Sequence, residues 1–299
     1  MNSRQMQYAV ELAKDRNVSQ TAERLGITQP ALSKHILALE KELGVKLFDR
    51  STNPMRLTAA GEHFVREAQE LLYREDQMLR SLEAYKSGES GRLVIGISPF
   101  RSQYMIPDVL RQVRQRYPDV EIVLQEPASD QLRREAAEGK YDFAVVNLPV
   151  DETVLDVITL EADTMVLAVP AAMTQGLPSP EKKLDLAACA ALSFVTVGQP
   201  QEMRRLFDAA CTVAQFRPQI VAQVSGLSTA WALCRAGVGA TLLPLQFVRH
   251  TQACEGVVLY GLDKTLQTRQ PVIITRRGQY LSPYAAYAIQ LLTERKDDV

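Results

Sequence analysis

Histidine, cysteine and long apolar runs are all scarce in this chain of 299 residues, and each scarcity removes a class of function. The three histidines, His35, His63 and His250, are too dispersed to suggest a catalytic or metal site. The four cysteines, Cys189, Cys211, Cys234 and Cys254, lie 20 to 23 residues apart without a CxxC pair. Zinc and thioredoxin chemistry are therefore unsupported, and buried reduced thiols are expected. No stretch reaches about 18 consecutive apolar residues, so no membrane span is expected. The opening MNSRQMQYAVELAKD lacks the apolar core of a signal peptide, which points to the cytoplasm. There is no GxSxG, no HExxH and no Walker-type loop; Gly96-Ile-Ser-Pro99 does not qualify, and Gly237-Val-Gly-Ala240 follows a helix instead of opening one. An enzyme is not expected, nor a cofactor or a metal.

Neither sign of charge is in excess. With 34 Lys and Arg against 35 Asp and Glu, the formal net charge is −1, which excludes a basic nucleic-acid coat. The distribution is uneven: residues 1–60 carry +3, residues 61–90 carry −3 and the remainder −1. At 46% hydrophobic, the chain can bury sizeable cores, and its length suits two or three domains.

The positive segment contains Val18 to Leu43, which reads as two helices joined by a tight turn. Ser19 is placed to cap the first, with Glu23 in its opening turns. Gly26 is placed for a left-handed stop, Thr28 to cap the second helix, and Pro30 sits in its first turn. Leu32, Ile36, Leu39 and Leu43 form one apolar stripe. Gln29, Ser33, Lys34 and Leu37 are left on other faces, where short donors and a cation suit base edges and phosphates. Residues 47–50 and 55–58 then read as two short strands around a polar turn, a wing whose Arg50 and Arg56 suit the DNA backbone or minor groove.

The run AERLGITQPALSKHILALEKELGVKLFDR (22–50), followed by LTAAG (57–61), resembles the winged helix-turn-helix of LysR-type transcriptional regulators over the first sixty residues. Asn53-Pro54 departs from that family's wing, which often carries a further cation there. The resemblance implies a DNA-contacting set of Ser19, Gln20, Thr28, Gln29, Pro30, Ser33, Lys34, Arg50 and Arg56.

A first helix is expected at Gln5–Asp15 and a long one from Thr58 to Ser87, about 45 Å by its rise per residue. In the latter, Phe64, Leu71, Met78 and Tyr85 recur every seven residues, with Ala68 and Leu82 between them. Either this helix packs on its own domain or it self-associates. The resemblance implies a homodimer through these six residues, assembled further as a dimer of dimers, with RNA polymerase as an additional partner.

Ser87-Gly-Glu-Ser-Gly91 is the clearest boundary. Beyond it, strands at 92–97, 121–125 and 141–146 alternate with helices at 104–117 and 129–138. A second set follows, with strands at 164–169, 192–197, 220–224, 240–244, 257–262 and 271–275 and helices at 200–215, 227–236 and 282–295. The order argues an α/β fold with a mainly parallel sheet. The resemblance adds a two-lobed, periplasmic-binding-protein-like effector domain. The expected division is a reader at 1–58, a linker helix and hinge at 59–90, and an effector domain at 91–299. Its first lobe would hold 91–161 and 267–299 and its second 162–266, with crossovers near 161–164 and 262–268.

Ligands in open α/β sheets sit beyond the carboxyl ends of strands, where helix N-termini favour anions. Four such places are Ser98, Phe100, Arg101 and Ser102; Ser129 with Asp130; Thr196 and Glu202; and Ser225 with Gly226 and Ser228. They correspond to effector-pocket loops in the resembled family. Arg101 is expected to clamp an anion. Glu202 and Asp130 oppose one, which leaves the ligand's charge open. The expected function is a sequence-specific regulator whose promoter binding responds to a small-molecule effector. The alternative is a redox sensor on the same fold, using Cys211 and a partner thiol.

Overall fold

The computed structural model describes residues 1–52, 54–87, 91–199, 201–251, 254–262 and 269–294; side chains at 80, 81 and 83–87 lie outside the description, as does Asn53 of the wing turn. Two compact units, Met1–Ser87 and Gly88–Val299, divide the chain.

In the first unit, α1 (Ser3–Asp15) begins with a capping box between Asn2 and Gln5. The next helix, α2 (Val18–Arg24), is capped by Asn17, whose side chain accepts from the Ser19 and Gln20 amides. The cap therefore lies two residues before Ser19. Asparagine serves as well as serine there, and the helix starts two residues earlier than a Ser19 cap would place it. Gly26 takes φ +66°, the left-handed turn into α3 (Gln29–Leu43), which Thr28 caps by accepting from the Ala31 amide. Leu32, Ile36 and Leu39 are buried in a core with Tyr8, Leu12, Leu47 and Phe48, and Leu43 packs at its margin. Strands β1 (Phe48–Asp49) and β2 (Arg56–Leu57) pair antiparallel as the wing.

Helix α4 (Ala59–Ser87) follows. The Thr58 hydroxyl donates to the Lys46 carbonyl at 2.7 Å and accepts from the Gly61 amide at 3.0 Å. This stitches the start of α4 to the segment entering the wing. A Cβ at Gly61 would stand 2.0 Å from the Leu47 carbonyl oxygen, so the last residue of LTAAG must be glycine.

The second unit holds a five-stranded sheet in the order β4-β3-β5-β12-β6, formed by β3 (Gly91–Ile97), β4 (Val120–Gln125), β5 (Phe143–Asn147), β6 (Leu155–Thr159) and β12 (Pro271–Arg276). Helices α5 (Pro99–Arg116), α6 (Ser129–Ala137) and α10 (Pro283–Glu294) accompany it. Apolar clusters cover both faces, around Leu93, Ile95 and Ile273 on one and Val94, Leu132 and Tyr141 on the other.

A second lobe combines β7 (Met165–Pro170), β8 (Ser193–Val197), α7 (Glu202–Val213), β9 (Gln219–Val224), α8 (Leu227–Arg235), β10 (Thr241–Pro244), α9 (Leu245–Thr251) and β11 (Val257–Gly261). Here β7 pairs antiparallel with β10 and β11, while β8 and β9 pair parallel and touch β10 through a Phe194–Ala240 bridge.

The mainly parallel expectation is thus corrected. Strand β3 runs parallel to β4 and β5, but β12 runs antiparallel to β5 and β6, because the chain returns to the first sheet from the second lobe. The outgoing and returning segments meet at an antiparallel bridge between Asp163 and Arg269. The rest of the expected return crossover, residues 263–268, lies outside the described residues.

Three elements differ from expectation. Helix α5 starts at Pro99, five residues early: Pro99 stands at its first position, where proline is preorganised, so it opens the helix. Strand β6 is an edge strand whose short alternating pattern passed for loop, and α9 is only seven residues long.

Gly61→Ala should lower the stability of the first unit by about 1–3 kcal/mol, the usual cost of overpacking. Thermal melts of wild type and variant followed by circular dichroism check it.

Candidate functional site

The reader presents a narrow polar face. Because the Leu32 stripe is buried, Gln29, Pro30 and Lys34 are exposed and Ser33 half-buried on the remaining surface of α3, with Gln29 Nε2 3.4 Å from Ser33 Oγ. Ser19, Gln20 and Thr28 are exposed on the two helix starts, and Arg50 and Arg56 on the wing. One connecting residue escaped sequence reasoning. Glu40, on α3, accepts from the Leu47 and Phe48 amides at 2.8 and 3.1 Å and pairs with Arg50 at 3.4 Å. It fixes the wing to the recognition helix. A glutamate one residue beyond an apolar stripe carries no such signal in sequence, because its partners are backbone amides.

On α4, Ala68 is buried with Val10 and Val65 inside the unit and Phe64 is half-buried beside them. Ala68 is therefore removed from an intermolecular seam by α1. Leu71, Met78 and Leu82 are exposed, and the Tyr85 side chain lies outside the described residues.

In the second unit, a cavity of about 370 Å³ opens between the lobes. The first turns of α5, α6, α7 and α8 all reach it, and no side chain caps any of these four helices. Of the expected set, Ser98, Phe100, Ser129, Glu202, Ser225 and Gly226 line it. Asp130 and Ser228 do so too. The Ser228 hydroxyl reaches Gln103 of the other lobe at 3.1 Å, and Phe100 stacks 4.6 Å from Phe247.

Arg101, Ser102 and Thr196 do not line the cavity. All three are buried: Ser102 bonds Pro99 O and Glu126, and the Thr196 hydroxyl lies 3.4 Å from Val197 O. Arg101 is the main correction. Starting α5 at Pro99 turns its side chain inward, where Nη2 bonds Asn147 Oδ1 and Asp163 Oδ2, each at 2.6 Å. Burial pulls its guanidinium pKa down, but Asp163, Tyr104 and Glu202 together outweigh this and the net shift is upward.

Beside the half-exposed Arg205, the largely buried cation at the cavity wall is Arg269, which sequence reasoning missed. Its Nε lies 3.3 Å from Glu202 Oε1 and its Nη1 3.5 Å from Asp163 Oδ2. Burial and the like charge of Arg101 hold Arg269 below the usual arginine range. Asn147 Nδ2 donates to Glu202 Oε1 at 2.7 Å and closes the network. Two arginines, two carboxylates and one amide thus join β5, both crossover segments and α7.

Family comparison settles what this architecture belongs to. The model of the LysR substrate binding domain matches residues 86–297, and that of the bacterial regulatory helix-turn-helix protein, lysR family, matches residues 3–62. The chain belongs to the LysR family. It is 30% identical over 309 residues to the uncharacterized HTH-type transcriptional regulator YcgK of Bacillus subtilis, covering 98% of this chain and 94% of that one. It is 28% identical over 303 residues to the DNA-binding transcriptional dual regulator OxyR of Escherichia coli, covering 99% and 96%. Among solved structures, a full-length OxyR variant from Pseudomonas aeruginosa shares the fold with a TM-score of 0.66 at 24% identity, over 98% of this chain and 93% of that one. Full-length CbnR in complex with its target DNA does so with a TM-score of 0.59 at 21% identity, over 98% and 99%.

This LysR-type chain is a DNA-binding transcriptional regulator with an effector-binding domain. No helix among its described residues is long and apolar enough to cross a membrane. Three thiols are buried, and their burial pushes Cys189 up to about 11 and Cys211 and Cys234 up to about 12. A peroxide-sensing thiol needs the opposite, an accessible group of lowered pKa. The buried thiols therefore speak against the redox alternative.

Two outcomes follow. Arg101→Ala should cost about 3–5 kcal/mol in denaturant unfolding, because Asp163 stays buried without its closest partner. Titration of the native protein with a thiol reagent near pH 8 should show exposed Cys254 reacting first and the other three only on unfolding.

Proposed function

We propose that the chain works as a dimer whose two readers contact a dyad-related operator, and that the cavity between its lobes holds the effector. In each reader α3 lies in the major groove, with Gln29 and Ser33 at base edges and Lys34, Arg50 and Arg56 at phosphates. The exposed row of Leu71 and Leu82 on α4 supports pairing through that helix. Dimers of dimers, contact with RNA polymerase and a cytoplasmic location accord with this reading. The domain division expected from sequence accompanies it, with the reader ending near residue 58 and the effector domain beginning near 91.

One observation carries the effector reading: the cavity takes its wall from both lobes and from Arg269 of the returning crossover. A ligand there has different contacts when the lobes are open and closed, which is what a population shift requires. Closure then alters subunit packing and the spacing of the readers, a coupling of about 1–3 kcal/mol. The CbnR structure, bound to its target DNA, supports the reader's role.

Operator sequences selected from a random library by the full-length protein test the reader. Ser33→Ala and Gln29→Ala should relax base preference. Arg50→Ala and Arg56→Ala should weaken binding to all sequences and reduce the salt slope by about one counterion each. Unchanged preference in both helix variants would remove α3 from the groove.

A further inference from the structure

We infer that the cavity takes a small zwitterion, a molecule bearing one anionic and one ammonium group, of which the α-amino acids are the simplest class. The inference rests on the effector reading of this cavity and names its ligand class.

The wall has two opposed characters. The uncapped first turns of α5, α6, α7 and α8 meet at it, each equivalent to roughly half a positive charge. Three carboxylates, Glu126, Asp130 and Glu202, share the same wall. Asp130 is paired with Arg133 at 2.7 Å and Glu126 accepts from the Ser102 hydroxyl, so Glu202 is the one with a buried oxygen left unpartnered among the described residues. Its two guanidiniums are already engaged: Arg269 between Glu202 and Asp163, and Arg205, half exposed, 3.8 Å from Asp130.

A simple anion finds helix amides here but also three carboxylates, with both lining guanidiniums committed within the protein. A simple cation finds the carboxylates but faces four positive helix ends. A molecule carrying both charges satisfies each, its anionic group at the helix starts and its ammonium at the carboxylates.

Glu202 marks where the ammonium goes. Its Oε1 accepts from Asn147 and Arg269, while its Oε2 is buried with no partner among the described residues. An unpaired buried carboxylate oxygen is costly unless a donor arrives, and closure of the lobes on an ammonium supplies one. Because Asn147 belongs to the first lobe and Arg269 to the returning crossover, an ammonium bound at Glu202 acts on both. The cavity, about 370 Å³, leaves room for a side chain beside Phe100, Met203 and Leu227.

The test uses the full-length protein and the operator it selects. Each of the common α-amino acids is titrated by calorimetry beside the deaminated acid of the same skeleton, such as glutamate with glutarate and phenylalanine with 3-phenylpropanoate. At least one amino acid should bind, and its deaminated partner should bind at least about tenfold more weakly, the loss expected for one charge-assisted hydrogen bond. Glu202→Gln should abolish that preference. Gly226→Leu places a side chain where no atom lies within 4 Å of a Cβ, and should block binding altogether. If Glu202→Gln melts early, the wild-type pairs decide alone. Equal or tighter binding of the deaminated acids, or binding of no amino acid, overturns the inference. A simple acid that binds, is blocked by Gly226→Leu and changes operator affinity would overturn it while leaving the effector reading intact. Binding of an amino acid that Gly226→Leu leaves unchanged would instead overturn the effector reading of this cavity, and the inference with it.

Discussion

Asp163 is the point on which the effector domain depends. Its carboxylate receives Arg101 from the first lobe and Arg269 from the returning crossover, and its backbone amide donates to the Arg269 carbonyl at 2.8 Å. A buried carboxylate persists only when such partners surround it, since desolvation costs several kcal/mol per ion. Both crossovers are thereby pinned side by side. With them fixed, the four helix starts of the two lobes are brought to face one cavity, and Glu202 is drawn from α7 into contact with Asn147. The network adds little net stability over an apolar filling of equal shape. What it supplies is a single arrangement of groups that any movement of the lobes must disturb.

The reader is held differently. Its core is small, and each buried leucine or isoleucine of α3 contributes about 1.5–3 kcal/mol. Polar contacts then set the geometry. Asn17 and Thr28 start the two helices, Glu40 holds the wing, and Thr58 starts α4. These bonds are short in reach, so the face of α3 is presented without a large scaffold behind it. Gly61 shows how tight the packing is, because the space a Cβ would take is filled by the Leu47 carbonyl.

Much of this was legible in the residues. The apolar stripe of α3, Gly26, Thr28 and the paired strands of the wing stand as read, because periodicity and turn chemistry are local properties. The places where a ligand would sit were found as strand ends followed by helix starts, and eight of the eleven residues named there line the cavity. The misses share one cause. Arg101 was placed as a free clamp because its segment passed for a loop, whereas one helical turn of difference points it into the core. Arg269, Asp163 and Glu40 were passed over because their partners lie more than a helical turn away in sequence, on other elements of the fold.

The sequence by itself determined the reader, the helix pairs and the alternation of strands and helices, since these rest on hydrophobic period, caps and turns within a few residues. Tertiary structure alone decided which charges are buried together, that Ala68 belongs to the fold of its own chain, and that the cavity wall joins carboxylates to positive helix ends. Those outcomes depend on where the chain crosses between lobes. Coulomb energy and desolvation act through space, and no local pattern records which distant partner a charge will meet.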